Sequence, residues 1–156
     1  KSMGTIKQQA LKLENFNKRD VRTQFGALCW RRRNGKVQIL LVTSRKSQRW
    51  IVPKGWPQNG ATPAEAATTE AWEEAGVTGK VSTVCIGIFS YLKALPCDES
   101  LPCVVAVFPL KVALLASNWP EKQTRSRKWL SPKKAAALVQ DRELASILLN
   151  FDPQDG

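Results

Sequence analysis

Three carboxylates at close spacing, Glu70, Glu73 and Glu74, are the residues of this 156-residue chain best placed to do chemistry. On a helix they fall within a single arc of roughly 100°. No Lys or Arg lies between Gly55 and Gly79 to pair with them. In the C-terminal half of a helix the macrodipole opposes negative charge, and like charges at this spacing cost a few tenths of a kcal/mol per pair. Such a row needs a cation from elsewhere, and a hard divalent ion with oxygen ligands suits it. The plainer alternative is a solvated acidic face. Pro53-Lys54-Gly55, followed by a loop and then the helix, would let a loop carbonyl and helix carboxylates converge on one ion.

The counter-charge is also on the chain. There are 24 Lys and Arg against 13 Asp and Glu, a net charge of +11. Residues 1–60 hold 14 of those basic residues and only Glu14 and Asp20, so this block accounts for the whole excess. A basic block followed by an acidic one reads as a site for an anion beside a cation. The chain has no histidine, which excludes Ser-His-Asp and Cys-His catalysis and imidazole metal sites. The four cysteines form no CxxC pair. Cys29 and Cys85 lie in apolar runs and are expected to be buried. Cys97 and Cys103 could meet across a loop, but a chain this long does not require the bond. A reducing, cytoplasmic setting is expected. No apolar stretch approaches a membrane span, and no signal peptide is read.

These residues must be held by elements, and the punctuation suggests which. Gln24 to Arg31 and Lys36 to Thr43 read as strands joined at Asn34-Gly35. Trp50 to Val52 is a short extended piece ended by Pro53. Thr62-Pro63-Ala64-Glu65 is a capping box with proline at the first helical position, and Gly76 is placed to stop that helix near Ala75. Val81 to Tyr91 and Cys103 to Val112 are further strands around a loop, Ala94 to Pro102. Arg127 to Leu130 is a last short strand. Ser131-Pro132 opens one helix and Asp141 caps another, with Leu144, Ile147, Leu148 and Phe151 on one face. The length fits a single domain over 1–156, with a core of about 20–151 and an N-terminal extension over 1–19. The fold class expected is α/β (α+β), a sandwich of helices around a mixed β-sheet.

Gly55 to Val77 resembles the Nudix box, Gx5Ex7REUxEExGU, matching at Gly55, Glu70, Glu73, Glu74, Gly76 and Val77. The segments LLVTSRKSQRWIVPKG and WPEKQTRSRKWLSP are similar to the diphosphoinositol polyphosphate and diadenosine polyphosphate branch of that family. Two positions depart: Ala61 stands where the pattern has its first Glu, and Thr69 where it has Arg. In the family those two residues brace the loop and orient neighbouring carboxylates.

The resemblance implies a Nudix-type α/β/α sandwich and hydrolysis of a phosphoanhydride, with Mg2+ (or Mn2+) held by Glu70, Glu73, Glu74 and the Gly55 carbonyl. The general base is open among Glu70, Glu74, Glu99 and Glu121. Arg22, Arg45, Arg49, Lys54 and Arg127 are expected at the substrate phosphates, with Arg125 and Lys128 as second choices. Arg31 to Arg33 are expected at an exposed hairpin tip. Trp50 or Trp56 could stack on a base or anchor a loop. The partner expected is a polyphosphate-bearing small molecule rather than a membrane, with long phosphate chains preferred. RNA 5′-pyrophosphate removal and non-hydrolytic nucleotide or RNA binding are the alternatives.

Overall fold

The computed structural model describes residues 21–154; the expected extension over 1–19 lies outside the described residues. Asn34 and Gly35 take φ of 55° and 75° and turn β1 (Arg22–Arg33) back into β2 (Lys36–Thr43). Both values suit the primed turn that matches strand twist, as Asn-Gly predicts. Short strands β3 (Trp50–Ile51) and β4 (Lys54–Gly55) follow. Helix α1 spans Pro63–Ala75. Its Thr62 capping box with Glu65 is closed in both directions, and Gly76 ends it at φ 70°. Strands β5 (Val77–Val81), β6 (Gly87–Ala94), β7 (Ser100–Leu115) and β8 (Arg127–Leu130) precede the helices α2 (Pro132–Leu138) and α3 (Arg142–Leu149).

These strands form one mixed sheet. Its path runs β3-β2-β1-β7-β5, with β4 on β1, β6 on β7 and β8 on β2. Only β1 and β7 pair in parallel, from Arg22↔Cys103 to Trp30↔Lys111. Alternation along β1 and β2 divides the buried side chains between two cores. Ala27, Cys29, Leu40 and Val42 pack with Ala64, Ala67, Ala71 and Ala75 of α1. Leu28, Trp30, Ile39 and Leu41 pack with Ala135, Leu144 and Leu148 of α2 and α3. The alanine face of α1 lets that helix lie close to the sheet. The expected sandwich is the one observed.

Three local expectations fail. Val81 to Tyr91 is not one strand, because the long β7 carries two partners in succession. Strand β6 takes residues 100–107 of β7 and β5 takes 110–115. Ser82 to Ile86 crosses between them, with Ser82 Oγ accepting from Val84 N. Cys85 is on that crossing and is exposed, not buried. Finally, Asp141 stands at the N-cap of α3 but its side chain makes no cap bond. All four thiols are free, with Cys97 exposed and Cys103 buried.

Candidate active site

Strand β4 brings Gly55 to the glutamates. It pairs antiparallel with the middle of β1, Phe25↔Gly55 and Gly26↔Lys54, and Ala27 N donates to Pro53 O. Helix α1 packs across β1 and β4. A Cβ at Gly55 would overlap the Glu70 carboxylate as it stands, so a larger residue would push that carboxylate aside. Gln58 Nε2 donates to Glu70 Oε2 at 3.3 Å. One turn along, Glu74 is 5% exposed and accepts from Lys54 N at 3.4 Å.

The two carboxyls are hydrogen-bonded to each other, and both are displaced from the usual carboxylate range. Burial pushes Glu74 up to about 8; Arg125 opposes the rise and Glu70 adds to it. Burial also raises Glu70, with Glu74 as donor opposing and Glu73 adding. Two such groups cannot both ionise cheaply without a cation. Glu73 is half-exposed. Among the described residues no three His, Cys, Asp or Glu side chains are grouped as a metal site. The structure joins Gly55, Glu70 and Glu74, with Glu73 close enough to act on the Glu70 charge. Paired oxygen donors packed on a glycine backbone fit a hard divalent ion.

The connection from β7 to β8 closes the end of α1. Trp119 Nε1 donates to Glu74 O at 3.0 Å, Glu121 N to Glu73 O at 3.0 Å, and Arg127 Nη1 to Ala75 O at 2.8 Å. These donors satisfy carbonyls that a helix end leaves without partners. Arg127 also lies 3.8 Å above the Trp119 ring. Expected at the phosphates, it is committed instead to the helix end. Arg125, from the same connection, pairs with Glu74 at 3.5 Å and Glu121 at 2.7 Å. Glu121 thus stands at the site, whereas Glu99 is exposed in the β6–β7 connection.

Lys54 also meets a residue of β6. Its Nζ lies 4.6 Å over the Tyr91 ring, and Tyr91 OH donates to Gln24 Oε1 at 2.6 Å. Burial lowers Lys54; Glu74 opposes, Lys93 and Arg125 add to the fall, and Asp141 opposes. Arg22 is two residues before Gln24 on the same face of β1 and is half-buried. Arg49 is exposed and donates to Gln140 Oε1 at 2.9 Å, beside Asp141. Arg45 is exposed on the β2–β3 turn, its carbonyl accepting from Gln48. Trp50 is a half-buried anchor of the second core, with Lys128 5.5 Å over its ring, and Trp56 is half-buried. Sequence reasoning missed Tyr91, Gln24, Lys93 and Asp141. Tyr91 and Lys93 do alternate on one face of β6, the one available signal.

Gly55, Glu70 and Glu74 thus meet in the spacing of the Nudix box, and residues 22–151 match the NUDIX domain family. The chain belongs to the Nudix family. It is 36% identical over 119 residues to Nudix hydrolase 12, mitochondrial, of Arabidopsis thaliana, covering 74% of this chain and 59% of that protein. It is 31% identical over 129 residues to diphosphoinositol polyphosphate phosphohydrolase 3-alpha of Mus musculus, covering 81% and 71%. The chain spans about three fifths of the length of the first plant relatives it matches. A crystal structure of a C. elegans Ap4A hydrolase shares the fold at a TM-score of 0.59 and 21% identity, covering 83% of this chain and 95% of that one. Among the described residues of this Nudix chain no helix is long and apolar enough to cross a membrane.

Proposed function

We propose that this Nudix chain is a divalent-metal-dependent hydrolase of a phosphoanhydride bond in a polyphosphate-bearing small molecule, of the diadenosine polyphosphate or inositol pyrophosphate type. The observation that carries the reading is the buried Glu70–Glu74 pair packed on Gly55 and flanked by Lys54. Glu70 and Glu74, with Glu73 and the Gly55 carbonyl, would hold Mg2+ or Mn2+. Such an ion supplies charge neutralisation at the phosphate and a more acidic bound water. The chain's own groups do the rest. The Lys54 ammonium is already partly desolvated, so an anionic phosphate gains from it more than from an exposed lysine. Arg22, Arg45, Arg49 and Lys93 would meet further phosphates. A carboxylate of the cluster takes the proton of the attacking water. The name of the mouse relative points to the same substrate class.

Two arginines of the hairpin tip are spent within the molecule, which favours a small substrate over RNA. Arg31 lies 4.0 Å over Trp129, and Arg32 donates to Pro153 O. The test is kcat/KM with Mg2+ for ADP-ribose, for diadenosine tetra-, penta- and hexaphosphate and for an inositol pyrophosphate, at two salt concentrations. Longer chains should be preferred, and salt should weaken them more. A salt-insensitive preference for ADP-ribose, or no turnover of any of them, overturns the reading.

A further inference from the structure

Helix α1 carries Glu65, Glu70, Glu73 and Glu74 and no basic residue. Thr69, where the family pattern has arginine, turns its hydroxyl to Glu65 O at 3.2 Å and gives the glutamates nothing. Their cation arrives from far along the chain. Arg125 has a side chain only 8% exposed, and each guanidinium nitrogen has a different partner. Nη2 lies 3.5 Å from Glu74 Oε2, Nε 2.7 Å from Glu121 Oε1, and Nη1 donates to Thr43 O at 2.9 Å. The neighbouring backbone is pinned to the same strand. Ser126 N donates to Thr43 Oγ1 at 2.9 Å and Thr43 N to Ser126 O at 3.0 Å.

An arginine tied to β2, to Glu121 and to Glu74 is not available to follow a substrate phosphate. Its planar fork instead fixes one Glu74 oxygen relative to the sheet. The 3.5 Å separation is looser than a tight charge-assisted hydrogen bond, which leaves the carboxylate able to accept a second cation. We infer that Arg125 is a positioning residue that holds the Glu74 carboxylate in place for metal binding, a service no residue of α1 provides. The inference rests on the hydrolase reading only for what that carboxylate then holds.

The experiment measures Mn2+ affinity by electron paramagnetic resonance on the full chain, with Mg2+-dependent kinetics on diadenosine tetraphosphate and thermal melting alongside. The variants are R125A, R125K, T69R and the double variant T69R/R125A. Losing a group that orients a metal ligand costs about 10–100-fold, so R125A should weaken Mn2+ by that factor and lower kcat similarly, with KM changed by less than about threefold. R125K keeps a charge without the fork. It should recover the melting temperature while staying within about threefold of R125A in Mn2+ affinity. Thr69 adjoins Glu70 and lies four residues before Glu73. T69R should therefore regain about tenfold in the R125A background and change wild type by less than about twofold, a non-additivity that marks a shared role.

Wild-type Mn2+ affinity in R125A, or a loss confined to KM, overturns the inference; the second result would make Arg125 a phosphate ligand. If R125A does not fold, the comparison of R125K with wild type decides, and equal Mn2+ affinity overturns it. A wild-type chain that binds Mn2+ but hydrolyses no polyphosphate removes the hydrolase reading and leaves the affinities to judge Arg125. A wild-type chain that binds no Mn2+ overturns both.

Discussion

Glu74→Gln should make the metal-free protein more stable while removing its activity, and the size of the effect follows from burial. The Glu74 carboxyl is raised by burial from the usual 4.5 to about 8. For an acid raised in the folded state, the stability present below the unfolded value is lost as pH climbs toward the folded one. The window runs from about 4.5 to about 8. Each tenfold change in proton affinity is worth about 1.4 kcal/mol, so the full displacement bounds the loss at about 5 kcal/mol. Pairing with Glu70 and Arg125 shares the charge, and about 3 kcal/mol is a fair expectation for the Glu74 contribution. In a chain of this length that corresponds to about 6–12 °C of melting temperature. Glutamine has the same shape and no charge to bury. In EDTA, wild type should therefore lose melting temperature between pH 5 and pH 9, whereas Glu74→Gln should stay nearly flat. The two should differ least at pH 5, and the variant should lead by about 6–12 °C at pH 9. Added Mg2+ should stabilise wild type more at pH 8.5 than at pH 5.5, because metal competes with the proton for the same oxygens. The assay is thermal melting by circular dichroism, with turnover measured on the same preparations. A variant less stable than wild type at pH 9, or one that turns over substrate at the wild-type rate, refutes the reasoning.

The other expectations are quicker to state. Gly55→Ala drives a methyl group into the Glu70 carboxylate, so it should abolish metal-dependent turnover in a protein whose circular dichroism spectrum is unchanged. Arg127→Ala removes a bond to Ala75 O and the stack on Trp119, and should cost about 1–3 kcal/mol in urea denaturation while leaving KM within about twofold. Leu144→Ala empties part of the core under α3 and should cost about 2–5 kcal/mol by the same measurement. Cys85 and Cys97 are exposed and Cys29 and Cys103 buried, so a thiol reagent should titrate two groups in the native protein and four after denaturation.

What could be read from the residues was local. Asn34-Gly35, the Thr62 box and Gly76 each settle their own backbone through contacts a few residues apart, and each sits where its chemistry requires. Cys85 has apolar neighbours that point to burial. Its exposure depends instead on β7 being long enough to take β5 and β6 in succession, a fact about other strands. The site divides along the same line. An unpaired row of carboxylates is a property of spacing on one helix, so the need for positive charge near Glu70 and Glu74 was visible without any structure. Which group answers that need depends on what crosses the end of α1. The crossing segment is the β7–β8 connection, and it is held there by donors from Trp119, Glu121 and Arg127 to the last carbonyls of the helix. Of Arg125, Arg127 and Lys128, Arg125 reaches Glu74, while Arg127 turns to the helix end and Lys128 to Trp50. Alternation along β8 separates Arg127 from Lys128, but nothing in the spacing places Arg125, which precedes the strand and is fixed by Thr43 of β2. A charge deficit is therefore legible where it arises, and the residue that relieves it is legible only once the order of strands is known.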